Sequence, residues 1–291
     1  MDRLETVDQV RAWGGSGPDL GFVPTMGALH AGHLALVEQA HSDSTRIGSG
    51  RVIVSIFVNP LQFGPNEDLE RYPRDLEGDL RQLAEAKVDA VFFPKLDEIY
   101  PDGFATTVQV DGPLTERLEA ASRPGHFAGV TTVVAKLFQI VQPARSYFGM
   151  KDAQQLLVIA KMVRDLAIPT ALVPVPTVRE PDGLAMSSRN AYLTPQARAA
   201  AAAIPRALDS AAELYEGGER DAGRLRQSVE TALGNEPLLR PQYVSCARLD
   251  TLEEWDKVEG AALLSLAVEA GQTRLIDNRW LGLAGDRPEL N

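Results

Sequence analysis

Two histidines stand three residues apart in the stretch Gly21-Phe-Val-Pro-Thr-Met-Gly-Ala-Leu-His-Ala-Gly-His33. The stretch begins with a strand-like apolar run, passes a proline and glycines, and enters a helical pattern near Ala31. If a helix begins there, His30 and His33 share one face beside the unpaired N–H groups of its first turn. Those groups and the helix dipole favour an anion, and two imidazoles add directional hydrogen bonds. The stretch therefore favours a polyphosphate site; a metal site and an ordinary surface pair are the alternatives.

Further polar side chains follow apolar runs or lie in glycine-containing loops. They are Asn59, Gln62, Arg123, Lys151, Asp152, Gln155 and Arg189. Taken singly, each has an ordinary explanation as a helix cap, a solvated loop charge or a helix surface residue. Together, in an acidic chain, we expect them to form a cationic, hydrogen-bonding pocket for a phosphorylated ligand.

Several catalytic patterns are missing from the sequence. It contains no Gly-x-x-x-x-Gly-Lys-Ser/Thr loop, no Gly-x-Gly-x-x-Gly after a strand and no Gly-x-Ser-x-Gly. The single cysteine, Cys246, excludes an internal disulfide and cysteine-rich zinc modules. Its strand-like surroundings predict a buried structural thiol. These features argue against a P-loop, the usual dinucleotide site and a protein nucleophile.

Composition and charge restrict the class of protein. The 291 residues are 44% hydrophobic, which allows one large domain or two ordinary ones. No apolar run is long enough to span a membrane, and the polar N-terminus does not resemble a signal peptide. A net charge of −11 argues against a nucleic-acid partner. We therefore predict a cytoplasmic globular protein that binds neither nucleic acid nor membrane.

The first part of the chain alternates strand-like and helical patterns. Apolar runs predict strands at residues 51–58, 88–93, 106–110, 146–150 and 169–175. Helical spacings predict helices at residues 4–13, 31–44, 75–87, 130–141 and 152–166, the last one capped by Asp152. This alternation predicts an α/β fold built on a doubly wound, Rossmann-like parallel sheet.

The pattern changes in the second part of the chain. Helical patterns occupy residues 196–215 and a stretch ending at Leu233, and strand-like runs follow at residues 243–249, 261–269 and 272–276. We therefore predict a Rossmann-like domain over residues 1–177 and a smaller α+β domain over residues 178–291.

Five ordered motifs resemble the pantoate–β-alanine ligase (pantothenate synthetase) family. They are Pro24-Thr-Met-Gly-Ala-Leu-His30, Val58-Asn-Pro-Leu-Gln-Phe-Gly64, Tyr72-Pro-Arg74, Arg123-Pro-Gly-His-Phe-Ala-Gly129 and Asp182-Gly-Leu-Ala-Met-Ser-Ser-Arg-Asn190. More broadly, His30-Ala-Gly-His33 resembles the His-x-Gly-His signature of the nucleotidyltransferase superfamily. The resemblance spans residues 22–194 and weakens towards the C-terminus.

The resemblance implies an ATP-dependent ligase with Mg²⁺. Pantoate and ATP would form pantoyl adenylate and pyrophosphate, and β-alanine would then attack the adenylate to give pantothenate and AMP. Positioned donors and a metal ion can promote this chemistry without a protein nucleophile. The partners implied are the small molecules pantoate, β-alanine and ATP, and the family further implies a homodimer.

The matching motifs also imply site residues. The implied catalytic residues are His30, His33 and Lys151. The implied ATP-binding residues are Met26, His30, His33, Gly149, Lys151, Asp152, Val178, Met186, Ser187, Ser188 and Arg189. The implied pantoate-binding residues are Pro24, Met26, Gln62 and Gln155, with Phe63 as further apolar surface. Asn59, Tyr72, Arg123 and His126 lie in matching motifs without an individual role, and Asp79 is the implied carboxylate beside Mg²⁺.

Two positions depart from the family pattern. Met150 stands where many members have glutamate, and Ala153 stands where an aromatic residue is frequent.

Two other functions are possible for such residues. One alternative is a transferase that moves a nucleotidyl group to a phosphorylated substrate, and the other is a non-catalytic nucleotide-binding regulator. The neutral amides of Gln62 and Gln155 suit a hydroxy acid better than a phosphate monoester. A regulator would not need both the turn that carries His30 and His33 (the histidine turn) and the loop Ser187-Ser-Arg189 (the Ser-Ser-Arg loop).

Overall fold

Two sheets organise the computed structural model, which describes residues 1–14, 19–47, 50–65 and 67–290. The strands are β1 (Asp2–Leu4), β2 (Gly21–Thr25), β3 (Val52–Ile56), β4 (Ala90–Phe92), β5 (Arg145–Gly149), β6 (Ala171–Val175), β7 (Leu239–Arg248), β8 (Ala262–Ala270) and β9 (Thr273–Leu281). The helices are α1 (Val7–Ala12), α2 (Ala31–Ile47), α3 (Leu76–Glu85), α4 (Leu96–Ile99), α5 (Glu119–Ser122), α6 (His126–Val141), α7 (Ala153–Asp165), α8 (Pro195–Ala201), α9 (Ala203–Glu216) and α10 (Ala222–Gly234).

The larger sheet has the strand order β1-β4-β3-β2-β5-β6, with every pair parallel. The chain fills one side of β2 first and then crosses to β5 on the other side, which confirms the predicted doubly wound sheet. In these described strands, β2 and β5 pair only through Gly21–Arg145 and Phe22–Ser146. Their carboxyl ends are therefore free to separate, at the switch point where such sheets bind ligands.

Successive residues of the central strands enter two apolar layers on opposite faces of the sheet. Phe22 and Ile53 pack in one layer with α6, where the rings of Phe22 and Phe138 lie 6.3 Å apart. Val23 and Val54 pack in the other layer, with residues of α2 and α3. Burial on both faces explains why these strands read as continuous apolar runs.

The second sheet contains β7, β8 and β9 in antiparallel order. It packs against α9 and α10 around a separate apolar cluster, which fits the predicted α+β character of this region. Ala247, Leu252 and Leu263 nevertheless pack in the apolar layer of the larger sheet. A division at residue 177 into two domains stays a prediction. No helix in the described part of the chain is long and apolar enough to cross a membrane.

The predicted helix over residues 4–13 is wrong at its start. Leu4 belongs to β1 and pairs with Phe92 of β4. The helix begins at Val7, because the Thr6 side chain accepts the N–H of Gln9 and the Gln9 side chain accepts the N–H of Thr6. An edge strand of three residues is too short to produce a periodic pattern.

The strand predicted over residues 106–110 is also wrong. The N–H of Val108 donates to Oγ1 of Thr132 at 2.9 Å, and its carbonyl accepts from Oγ1 of Thr131 at 2.6 Å. Side chains of α6 therefore satisfy the backbone groups that a neighbouring strand would otherwise pair.

Two helix boundaries differ from the prediction for local reasons. Asp152 lies at the N-cap position of α7, but its side chain makes no capping bond and instead lies 3.8 Å from Nζ of Lys151. The helix predicted over residues 196–215 divides into α8 and α9 at Ala202. Pro205 in the first turn of α9 has no N–H to continue the preceding helix.

Candidate active site

A cleft opens at the carboxyl ends of β2 and β5, and nearly all of the predicted site residues line it. The lining residues among them are Pro24, Met26, His30, His33, Asn59, Gln62, Phe63, Tyr72, Arg123, His126, Gly149, Lys151, Asp152, Gln155, Val178, Met186, Ser187, Ser188 and Arg189. Asp79 is the exception. Residues more than 150 positions apart in the sequence therefore meet at the predicted edge of the sheet.

Asp79 supports the histidine turn from beneath. Its two carboxylate oxygens accept the N–H groups of Ala28 and Leu29 at 2.9 and 2.8 Å, and its side chain is buried. Gly27 and Ala28 have φ angles of 80° and 51°, a left-handed conformation that costs energy for alanine. Asp79 offsets that cost by satisfying the N–H groups of the turn. Burial raises the pKa of Asp79 despite these bonds.

The two histidines of the turn are neutral hydrogen-bond donors. Burial lowers the pKa of His33 to about 3, assisted by nearby His30, and burial and then the charge of Lys151 lower the pKa of His30. Nδ1 of His30 accepts the N–H of Gly32 at 3.1 Å, and Nδ1 of His33 accepts the N–H of His30 at 3.3 Å. Because a neutral imidazole has one donor and one acceptor nitrogen, each ring carries its proton on Nε2. The rings lie 4.1 Å apart, so they present a pair of donors.

Asn59 fixes the orientation of Gln62. Nδ2 of Asn59 donates to Oε1 of Gln62 at 3.0 Å and to the carbonyl of Gly129 at 3.1 Å, and its Oδ1 accepts from Tyr100 at 2.8 Å. These partners decide which end of each amide is the donor. The NH₂ group of Gln62 is therefore the end that lies 3.1 Å from the sulfur of Met26, and it can donate to a carboxylate or hydroxyl oxygen.

His126 links the turn Pro60–Gln62, which carries Gln62, to Arg123. Nδ1 of His126 lies 2.8 Å from the carbonyl of Gln62, and its Nε2 lies 3.0 Å from the guanidinium of Arg123. Burial, followed by the charge of Arg123, lowers the pKa of His126 to about 4. The neutral ring donates through Nδ1 and accepts through Nε2. Arg123 also forms two bonds of 2.8 and 2.5 Å with Glu67.

Lys151 provides the ammonium group of the cleft. It follows β5 in the 3-10 turn Met150–Asp152, and Gln155 comes one helical turn later in α7. About a fifth of its side chain is exposed, at 19%. Met150 is buried among apolar residues and does not line this cleft, so its side chain packs against the core.

A small hairpin brings the Ser-Ser-Arg loop over the cleft. An isolated bridge joins Arg179 to Ala185, and the N–H of Met186 donates to the carbonyl of Val178 at 3.0 Å; we call residues 178–186 the hairpin. Ser187, Ser188 and Arg189 follow it directly.

Arg189 forms two bonds of 3.1 and 2.9 Å with Asp68, which belongs to the loop after β3. Burial works against both carboxylates, but the hydrogen bonds and charges of Arg123 and Arg189 lower the pKa of Glu67 and Asp68 below their ordinary values. Tyr72 is buried beside the loop, and burial raises its pKa. An anionic ligand would have to replace or share Asp68 to reach the guanidinium of Arg189.

The described residues contain no group of three or more His, Cys, Asp and Glu side chains placed to hold a metal ion. Asp79 does not line the cleft, and both of its oxygens are engaged by backbone N–H groups. Its position therefore gives no support to the metal role implied for it. Mg²⁺ often binds through one or two carboxylates and the phosphates of a substrate, which needs no dedicated cluster.

Asp277 and Asn278 are polar residues of this region that the sequence analysis missed. They lie in β9 and are buried at 2% and 4% exposure. Asn278 donates to the carbonyls of Met150 and Lys151, and Asp277 pairs with Arg179 of the hairpin. Two adjacent polar residues directly after the strand-like run of residues 272–276 were a usable signal.

Comparison with known proteins identifies the family. The sequence profile of the family described as Pantoate-beta-alanine ligase matches residues 2–280. The chain is 57% identical over 282 residues to pantothenate synthetase from Chloroflexus aurantiacus, covering 97% of this chain and 98% of that protein. It resembles the crystal structure of pantothenate synthetase from Thermus thermophilus, with a TM-score of 0.91, 50% identity, and coverage of 96% and 99%.

A second solved structure comes from a more distant relative. The pantoate-beta-alanine ligase from Francisella tularensis, complexed with beta-gamma ATP and beta-alanine, is 36% identical and has a TM-score of 0.76. The matched region covers 96% of this chain and 97% of the Francisella chain. Because the family profile and these relatives each span almost the whole chain, the protein belongs to the pantoate–β-alanine ligase family.

Proposed function

We propose that this chain joins pantoate to β-alanine with ATP, through a pantoyl-adenylate intermediate, and releases AMP and pyrophosphate. Family membership supports this reaction, and the Francisella relative was crystallised in complex with beta-gamma ATP and beta-alanine. The observation that carries the proposal is the convergence on one cleft of neutral imidazole donors, an ammonium, an oriented amide and a guanidinium. These groups come from His30 and His33, Lys151, Gln62 and Arg189.

The first step needs a carboxylate and a phosphate to approach each other although both are anions. An oxygen of pantoate attacks the α-phosphorus of ATP, and the bond to the leaving pyrophosphate breaks. In our proposal the ammonium of Lys151 lies between the two anions and offsets their repulsion. Nε2–H of His30 and of His33 donates to phosphate oxygens, and Arg189 with Ser187 and Ser188 stabilises charge on the departing pyrophosphate.

The amide pair selects pantoate in this proposal. Gln62 donates from its oriented NH₂ group to a pantoate oxygen, and Gln155 makes a second amide contact. Pro24, Met26 and Phe63 provide apolar surface for the substrate's methyl groups. Gly149, Asp152, Val178 and Met186 would hold the nucleoside of ATP. A hydroxy acid suits such neutral donors, whereas a phosphate monoester would leave part of its charge uncompensated.

The second step needs no protein nucleophile. The amine of β-alanine attacks the carbonyl carbon of the adenylate, the bond to the phosphate oxygen breaks, and AMP leaves. The cleft's contribution is to hold the adenylate in place and to limit the access of water, which would otherwise hydrolyse it.

We propose that Mg²⁺ enters with ATP and is held mainly by the phosphates of ATP. Bound there, the ion would neutralise phosphate charge.

We further propose that residues 178–291 act as a lid, and that the protein is a cytoplasmic homodimer. Light scattering of the purified protein tests the homodimer.

Pyrophosphate exchange tests the two-step reaction. Labelled pyrophosphate should enter ATP when pantoate and Mg²⁺ are present and β-alanine is omitted. Exchange that requires β-alanine would contradict an adenylate intermediate. Release of AMP from ATP should in turn require both pantoate and β-alanine, which separates a ligase from a nucleotidyl transferase and from a nucleotide-binding regulator.

Variants test the residues. Lys151→Ala should suppress exchange by about 100-fold or more, because one positioned donor is lost. His33→Ala should weaken exchange as well. His41→Ala is the matched control, since Nε2 of His41 lies 3.1 Å from the carbonyl of Ala86, away from the cleft. An unimpaired Lys151→Ala enzyme would refute the role proposed for that lysine.

A further inference from the structure

Two adjacent residues of the small sheet contact two different segments that carry residues of the cleft. Asp277 and Asn278 occupy the middle of β9, where Leu266 and Ser265 of β8 are their partners in register. Both side chains are almost completely buried, at 2% and 4% exposure. A buried carboxylate and a buried amide are costly unless they are paired, so their partners indicate what they do.

The amide of Asn278 holds the backbone at Lys151. Its Nδ2 donates to the carbonyl of Met150 at 3.1 Å and to the carbonyl of Lys151 at 2.8 Å. Both hydrogens of the amide are thus used on two consecutive peptide groups of the 3-10 turn that carries the lysine. Because Lys151 belongs to that turn, a shift of the turn's backbone moves the ammonium group by a similar distance.

The carboxylate of Asp277 holds the hairpin. It forms two bonds of 2.8 and 2.9 Å with the guanidinium of Arg179, and the same guanidinium donates to the carbonyl of Gly183 at 3.0 Å. Arg179 therefore joins both arms of the hairpin to β9. The carboxylate also accepts the N–H of Asn278 at 2.8 Å, so the two residues support each other.

We propose that Asp277 and Asn278 are positioning residues for adenylate formation. Asn278 sets the position of Lys151, and Asp277 sets the position of the hairpin from which Val178, Met186 and the Ser-Ser-Arg loop extend. Neither residue lines the main cleft, so each acts through another group. The inference rests on the role proposed above for Lys151.

The two contacts predict different kinetic effects. Loss of the Asn278 amide displaces the ammonium needed in the transition state, so turnover in pyrophosphate exchange should fall by about 10- to 100-fold. The KM for ATP should change much less. Loss of the Asp277 charge loosens the hairpin over the nucleotide, so the KM for ATP should rise by about 5- to 10-fold with a smaller change in turnover.

Asn278→Asp, Asn278→Ala and Asp277→Asn test these effects. Asn278→Asp keeps the size of the side chain but presents only acceptors to the two carbonyls, whereas Asn278→Ala leaves the carbonyls without this partner. Both should lose turnover in pyrophosphate exchange. Circular dichroism and the Tm identify which variants are folded at the assay temperature, and kcat and KM are compared among those.

Ser265→Ala is the matched control. Ser265 faces Asn278 across β8 and β9, is buried, and has an Oγ with no hydrogen-bond partner among the described residues. It should retain normal exchange. A loss in Ser265→Ala equal to that in Asn278→Asp would indicate a general packing effect and overturn the inference.

Normal turnover in either folded Asn278 variant would overturn the inference for that residue, as would an unchanged KM for ATP in Asp277→Asn. If Lys151→Ala is impaired while Asn278→Asp is normal, only the positioning inference fails. If Lys151→Ala is itself unimpaired, the proposed function fails at that residue.

Discussion

Alanine at Gly129 tests how closely α6 must approach the turn that carries Gln62. A Cβ at this position would lie 2.2 Å from the carbonyl oxygen of Leu61, 2.4 Å from its carbonyl carbon and 2.6 Å from the backbone nitrogen of Gln62. All three atoms belong to the backbone, so rotation of a side chain cannot relieve the clash. Two further bonds join the turn and α6: Nδ2 of Asn59 donates to the carbonyl of Gly129, and Nδ1 of His126 donates to the carbonyl of Gln62.

The geometry sets the size of the effect. Because Cβ atoms essentially never lie closer than 3.0 Å to another heavy atom, α6 and the turn must separate by roughly 0.8 Å from the present 2.2 Å. Overpacking of this kind costs about 1–3 kcal/mol of folding free energy. A displacement of Gln62 approaching 1 Å should lower kcat/KM for pantoate by about 100-fold.

Pyrophosphate exchange over a range of pantoate concentrations measures that loss, and denaturant unfolding measures stability. Gly234→Ala is the control, because Gly234 also lies in a helix but has no atom within 4 Å of an added Cβ. It should keep full activity and gain slightly in stability. A Gly129→Ala enzyme with normal kcat/KM for pantoate would refute the argument that this close approach positions Gln62.

Three further predictions follow from the charges of the site and the burial of the thiol. The pKa values of about 3 for His33 and about 4 for His126 lie below their ordinary 6.5, so both histidines take up protons on unfolding and stability is lost as the pH falls below 6.5. The free energy of unfolding should drop by about 1 kcal/mol for each histidine between about pH 7.5 and 5.5, and a flat denaturation profile would contradict their neutral state. Asp68→Asn should lower the KM for ATP by about 5-fold, since ATP then competes with an uncharged group for Arg189; a raised KM would mean that Asp68 orients the guanidinium for the nucleotide. Burial, followed by the charge of Glu254, raises the pKa of Cys246 to about 11, so a thiol reagent should label it only after denaturation, and fast labelling of the folded protein would contradict its burial.

The regular strands and helices could be predicted from the sequence because their local hydrophobic pattern agrees with their position in the tertiary structure. The runs that became β2 and β3 are apolar on both faces, as a central parallel strand requires, and α3 has its leucines on one side. Side chains at the ends of such strands meet at one edge of the sheet whatever the detailed packing. The cleft could therefore be predicted from residues as distant as His30 and Lys151.

The errors arose where non-local partners decide the conformation. Residues 106–110 have strand-like composition, but hydroxyl groups of α6 bind their backbone. Asp152 has the residue type of an N-cap, but its carboxylate lies beside Lys151. Asp79 has the residue type of a metal ligand, and the N–H groups of a turn fifty residues earlier bind its oxygens, so the metal role implied for it stays a prediction without support from the structure.

The sequence by itself determined the order of the central strands and the longer helices, the two-part pattern of the chain and the polar residues that line the cleft. Only the tertiary structure decided the state and support of those residues. Neutral His30 and His33 depend on burial and on which backbone N–H reaches each Nδ1. The support of Lys151 by Asn278 depends on a contact between residues 127 positions apart. Residue type and local spacing specify what a side chain can do, whereas desolvation and distant partners, which exist only once the chain is packed, decide which of these possibilities is realised.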